Sequence, residues 1–172
     1  VTMTTYLRDH TWEFPSWEKR PAIVILPGGA YHHLSDREAE PEALAFMAQS
    51  YQAFVVRYSL QEYAVYPNPL VDVSRAIGTI RENAKAWHVD SDRIAVIGFS
   101  AGAHLAAMLG GQWNRTEIQE ASGTTDNRPN ALILGYPVTD RQHFEGGGGP
   151  AAYLIGDRDP GDVLPFLGCD TH

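Results

Sequence analysis

A chain of 172 residues has room for one sizeable core and not for two full domains. Its 21 Asp and Glu against 13 Lys and Arg leave a net charge of -8, which repels phosphate backbones and anionic membrane surfaces and so argues against nucleic-acid and membrane partners. With 44 % hydrophobic residues, 20 % charged residues and Cys169 as its single cysteine, the chain has a globular composition, and no intramolecular disulfide or Cys-based zinc site can form within it.

Short β-branched runs alternate with stretches of helical period, the pattern of a three-layer α/β/α sandwich with a mostly parallel sheet. Residues 22–26, 53–57, 94–97, 131–134 and 163–167 read as strands, and none of these apolar runs approaches the roughly 18 to 20 residues that span a bilayer. Between the first two, Ser35 and Glu38 have capping-box spacing, and Ala39, Ala43, Phe46 and Met47 recur along one helix face. The acidic group Asp36, Glu38, Glu40 and Glu42 then complements the positive end of a helix dipole, which is favoured over a catalytic carboxylate pair. A second helix spans 70–87, with Leu70, Val73, Ile77, Ile80, Ala84 and Trp87 on one stripe and Arg75, Arg81 and Lys85 on the solvated side. Residues 146–149, four glycines before Pro150, read as a flexible loop.

The strongest chemical signal is Gly98-Phe99-Ser100-Ala101-Gly102, directly after the strand at 94–97 and before a helical stretch. Strand, tight turn and helix are what a nucleophile elbow requires, and the turn is so sharp that side chains two before and two after the serine would strike backbone. A serine hydroxyl needs a base to remove its proton and donors aimed at the oxyanion it creates. Pro27-Gly28-Gly29-Ala30-Tyr31 follows the strand at 22–26 and has the small residues of an oxyanion loop. Gly29, Ala30 and Ala101 are the expected oxyanion donors. A phosphate-cradling loop fits less well, because neither the Gly-Lys-Ser/Thr ending nor the GxGxxG spacing is present.

On these residues the chain resembles the α/β-hydrolase fold, and within it small bacterial lipolytic enzymes similar to acetyl esterases and acetylxylan esterases. The resemblance rests on the oxyanion loop through Tyr31, on Ser35-Asp36-Arg37-Glu38-Ala39-Glu40-Pro41, and on Ala53-Phe54-Val55-Val56-Arg57-Tyr58-Ser59. It also rests on Gly98-Phe99-Ser100-Ala101-Gly102-Ala103-His104-Leu105-Ala106 and on Gly135-Tyr136-Pro137-Val138. It implies Ser100 as nucleophile and hydrolysis without a metal or organic cofactor. Ala30 and Ala103 stand where such relatives usually carry glycine, and alanine still offers its N–H. The resemblance also implies a single domain over 1–172 that lacks the family's C-terminal strand and helix, because the triad order places the acid and then the histidine beyond late strands.

Asp170 is the nearest candidate acid, with Asp140 as a second, while Asp157 and Asp159 read as turn formers around Pro160-Gly161. No base is found among the histidines. His104 is carried away from the turn's tip by its helix, His143 falls in a loop, and His10 and His88 read as surface residues. His172 occupies acid-loop territory. Tyr31 and His32, in and beside the oxyanion loop, are the candidates for touching substrate, with His33 next to them. Tyr58, Tyr63, Tyr66 and Trp113, with Tyr31, can stack on a sugar, although aromatics in such numbers usually build the core.

The expected function is a serine carboxylic-ester hydrolase that removes small acyl, above all acetyl, groups through an acyl-enzyme. The partner is a small-molecule or carbohydrate ester, and a homo-oligomer is compatible with the sequence. A non-catalytic hydrolase-like domain or one half of a split site is the reading motivated by the missing base, and an amide or peptide hydrolase is a third on the same fold. The lack of a basic start followed by an apolar run favours the cytoplasm, while a chain beginning at Val1 leaves room for a trimmed leader.

Overall fold

Five strands form one sheet in the order β1-β3-β2-β4-β5, with β1 (Thr2–Tyr6), β2 (Arg20–Leu26), β3 (Gln52–Arg57), β4 (Val89–Phe99) and β5 (Ala131–Gly135). The computed structural model describes residues 1–172 other than 14, 16, 17, 139–143, 145–147 and 169–172. β1 runs antiparallel to β3 and every other pairing is parallel, with Val24 of β2 opposite Phe54 on one side and Val96 on the other. Parallel strands covered on both faces bury successive residues, which is why Ala22 through Leu26 are all solvent-free. Val24, Leu26, Phe54, Val56 and Val96 face a large core built with α2 (Asn68–Glu82) and α3 (Ala101–Gln112). Ile23, Ile25, Val55 and Ile97 face a smaller one under α1 (Glu40–Ala48), where Ala43, Phe46 and Met47 pack. Among the described residues three further α-helices follow, α4 (Thr116–Ser122), α5 (Pro150–Ile155) and α6 (Pro160–Leu167).

The three layers match the sequence expectation, and four of the five expected strands are present. The fifth is corrected: residues 163–167 lie in α6. Asp159 caps that helix by accepting the Gly161 N–H at 2.7 Å and Pro160 occupies its first turn, where no N–H is needed. Val163 and Leu167, four residues apart, then bury one face, a spacing that a five-residue apolar run hides.

Two smaller corrections follow from hydrogen bonds. The capping box is not formed, because the Ser35 N–H donates to the Gly28 carbonyl at 2.9 Å and Glu38 closes a short 3-10 turn with its carboxylate directed elsewhere. Nor is Arg81 a solvated charge. Its guanidinium donates to the carbonyls of Asp126 and Arg128, both at 2.7 Å, and Arg75 similarly reaches Ala121 at 2.8 Å. α2 stops at Glu82 rather than at 87, and Trp87 instead lays its ring against Phe54, 5.6 Å between centroids.

Candidate active site

Ser100 is the single residue between β4 and α3, held at φ 51° and ψ -114°, a region that L side chains rarely adopt. The neighbouring glycines make the turn possible. A Cβ on Gly98 would lie 2.2 Å from the Gly102 carbonyl oxygen, and one on Gly102 would lie 2.0 Å from that of Leu26. The Ser100 N–H donates to the Gly135 carbonyl of β5 at 2.9 Å, and the Ser100 carbonyl accepts from the His104 N–H at 2.9 Å. Strand end and helix start therefore grip the serine backbone from both sides.

The loop after β2 is wound as tightly. Gly29 has φ 134°, where a Cβ would meet the His33 carbonyl oxygen at 2.1 Å, and Ala30 and Tyr31 follow at φ 56° and 58°. The N–H groups of His32 and His33 both turn back to the Gly29 carbonyl, at 2.9 and 3.2 Å. The loop abuts the serine, since a Cβ on Gly28 would stand 3.1 Å from Ser100 Cβ. Ala30, Tyr31, Ser100 and Ala101 line one apolar cavity of about 40 Å³, closed by Val138 and Phe144. Gly29 lies one residue back from that lining. Ala101 opens α3, where first-turn N–H groups have no partner within the helix and the dipole is positive. Of the seven non-glycine residues with positive φ among the described residues, Ala30, Tyr31 and Ser100 line this cavity, and Tyr136 follows the Gly135 that holds the Ser100 N–H. Backbone strain concentrated at one pocket is a pointer to function.

His104 lies one helical turn beyond Ser100 and is 1 % exposed. Its Nε2 meets the Leu167 carbonyl at 2.8 Å, so that nitrogen carries the proton, and its Nδ1 therefore accepts from the Tyr31 hydroxyl at 2.8 Å. Burial pushes its pKa down to about 4, against the opposing pull of the Leu167 carbonyl. Both imidazole nitrogens are thus committed, one to Tyr31 and one to Leu167.

Tyr58 and Tyr66 are buried with Tyr31, whereas Tyr63 is exposed. The Tyr58 hydroxyl donates to the Pro27 carbonyl at 2.6 Å, and burial followed by the nearby charge of Glu38 raises its pKa, which keeps it a donor. His32 is exposed and lines a separate cleft of about 460 Å³ with Gln61, Tyr153 and Asp157. Asp170, Asp140, His143 and His172 lie outside the described residues. Among the described residues, no group of three His, Cys, Asp or Glu side chains is placed to hold a metal ion, and no helix is long and apolar enough to cross a membrane.

One residue of the site went unrecognised in the sequence. Glu38 accepts the Gly28 N–H on Oε2 at 2.7 Å and the Tyr136 hydroxyl on Oε1 at 2.6 Å. That second hydrogen bond is the main reason the Tyr136 phenol lies above its ordinary pKa. Glu38 stands three residues after Ser35, a spacing so like a capping box that local pattern gave no signal for the longer reach.

A mostly parallel sheet between two helical layers, a strained serine turn after β4 and a glycine loop after β2 together define the α/β-hydrolase class, with its nucleophile elbow and oxyanion hole implied by the fold. Within that class the chain belongs to the BD-FAE family, whose model matches residues 14–156. The chain is 34 % identical over 128 residues to endo-1,4-β-xylanase B of Butyrivibrio fibrisolvens, a match that takes in 70 % of this chain and 20 % of that one. Among solved structures it resembles MGS-M1, an α/β-hydrolase enzyme from a Medee basin deep-sea metagenome library, with 47 % identity, a TM-score of 0.72, and 81 % of this chain and 52 % of that one covered. It also resembles the acetyl ester-xyloside bifunctional hydrolase of Caldicellulosiruptor lactoaceticus, with 32 % identity, a TM-score of 0.77, and 96 % and 59 % covered. The chain thus spans a fifth of the xylanase's length and under two thirds of either solved chain.

Proposed function

We propose that residues 1–172 belong to one α/β-hydrolase domain of a serine carboxylic-ester hydrolase that removes small acyl groups, acetyl first among them. The observation that carries this reading is the meeting of Ser100 at φ 51° with the left-handed Ala30 and Tyr31 around one cavity. Ser100 Oγ attacks the ester carbonyl, its proton passes to a base, and the N–H groups of Ala101, Ala30 and Gly29 receive the oxyanion. Each such donor is worth roughly 3 to 4 kcal/mol in the transition state. Collapse of the intermediate breaks the C–O bond, the base returns its proton to the leaving alcohol, and water then releases the acid from the acyl-serine by the same steps. The reading assigns the base to a histidine outside the described residues and keeps Asp170 as candidate acid. A cavity of about 40 Å³ supports a short acyl chain, and the acetyl ester-xyloside hydrolase among the similar structures supports acetyl on a carbohydrate alcohol.

Hydrolysis of p-nitrophenyl acetate tests it. Ser100→Ala is expected to lower kcat by about 10⁴-fold or more with the fold intact, and a variant that keeps wild-type turnover overturns the reading.

A further inference from the structure

We infer that Glu38 is a positioning residue for catalysis, a carboxylate strut that sets the distance between the oxyanion loop and Ser100. The inference rests on the esterase reading above and goes past it to a residue that does not touch the substrate.

The geometry begins at Gly28. Its N–H donates to Glu38 Oε2 at 2.7 Å, and its carbonyl accepts from Ser35 N–H at 2.9 Å. Both faces of this residue's backbone are therefore held by the single turn 35–38. The next residues are the strained Gly29, Ala30 and Tyr31, so the direction in which they leave Gly28 sets where their N–H groups stand. The site of a Gly28 Cβ is 2.7 Å from the Phe99 carbonyl oxygen and 3.1 Å from Ser100 Cβ, so the loop has no slack against the serine turn.

The other oxygen reaches across the site. Glu38 Oε1 accepts from the Tyr136 hydroxyl at 2.6 Å. Tyr136 sits at φ 42° immediately after Gly135, the residue whose carbonyl takes the Ser100 N–H at 2.9 Å, and its ring packs against Phe99 with 6.0 Å between centroids. One carboxylate thus ties the loop after β2 to Tyr136, the residue next to the Gly135 of β5 that fixes the serine backbone. Hydrogen bonds to an ionised acceptor are short and about twice as strong as neutral ones, which suits a part that must hold a distance. A shift of about 1 Å between donors and nucleophile costs on the order of 10²-fold in rate.

The test measures kcat, KM and thermal midpoint on p-nitrophenyl acetate for the wild type, Ser100→Ala, Glu38→Ala, Glu38→Gln and Tyr136→Phe. Glu38→Ala is expected to lower kcat by about 10²-fold with KM within about threefold, because the lost interaction is felt in the transition state. Glu38→Gln is expected to recover kcat to within about fivefold, since its Oε1 still accepts the Gly28 N–H and its Nε2–H can donate to the Tyr136 oxygen. Tyr136→Phe, which leaves the Gly28 end in place, is expected to lose about fivefold in kcat at unchanged KM. Should Glu38→Ala fail to fold, Tyr136→Phe and Glu38→Gln carry the test. Loss of activity in Ser100→Ala with full kcat in Glu38→Ala, or in Tyr136→Phe where Glu38→Ala does not fold, overturns this inference alone. Equal loss in Glu38→Gln and Glu38→Ala with matching falls in thermal midpoint overturns it too, in favour of a merely structural carboxylate. Activity retained in Ser100→Ala overturns the esterase reading and the strut with it.

Discussion

His104 shows how one buried side chain can join three parts of the fold around the site. It joins the oxyanion loop through Tyr31, the serine helix through its own backbone, and the end of α6 through Leu167. Its folded pKa of about 4 lies below the unfolded value of about 6.5, so the neutral form is the one the fold selects. Its contribution is complete above about pH 6.5 and is lost as pH falls toward 4, where the unfolded chain binds a proton that the folded chain refuses. The difference corresponds to something on the order of 3 kcal/mol. Urea unfolding at about pH 7 and about pH 4.5 is expected to lose roughly 2 to 3 kcal/mol in the wild type, and distinctly less in His104→Gln. Equal pH dependence in the two proteins would remove His104 as the cause.

At the scale of elements, the guanidinium of Arg81 connects the middle of the fold to its last strand. From α2 it reaches the carbonyls of Asp126 and Arg128 at 2.7 Å, close before β5 begins at Ala131. It also pairs with the Asp126 carboxylate at 3.3 Å, an interaction that exposure at Asp126 makes weak. Arg81→Ala is expected to lower stability by about 2 kcal/mol or more, because the carbonyls of Ser91, Asp126 and Arg128 lose the charge-assisted donors of a guanidinium whose side chain is only 10 % exposed. Lysine does not restore it, since a single ammonium cannot span the same acceptors. The thermal midpoint should fall by about 4 to 8 °C, and a fall below about 1 °C would contradict this account. The same arginine marks where pattern reading ends: charges at helical spacing indicate a solvent side, and they do not tell which one reaches a carbonyl 45 residues away.

The buried strands and α2 were legible because their apolar periods are long and consistent, and the elbow because Gly98, Ser100 and Gly102 state a backbone requirement directly. β1, with its Thr-rich and largely exposed run, carried too little apolar signal to be foreseen. α6 was misread because its apolar run is shorter than the window that separates the two periods, although Asp159-Pro160 held the helix-start signal. The Glu38 strut was invisible for another reason: it joins residues 98 positions apart, and no local spacing encodes that.

Across the whole molecule, every element of the site comes from the carboxyl end of a parallel strand. The oxyanion loop follows β2, Ser100 follows β4 and Tyr136 follows β5. In the strand order β3-β2-β4, the chain leaves β2 toward one side and crosses back to the other, and such a reversal opens a crevice at the strands' carboxyl ends. The loops from β2 and β4 meet at that crevice, so the position of the cavity follows from topology and its chemistry from the residues placed there. The central claim is that Ser100 is an activated nucleophile, and labelling with a fluorophosphonate probe, read by intact mass and peptide mapping, tests it most directly. The account predicts one adduct, on Ser100, absent in Ser100→Ala. No adduct on the wild type, or an adduct that persists in Ser100→Ala, would contradict it.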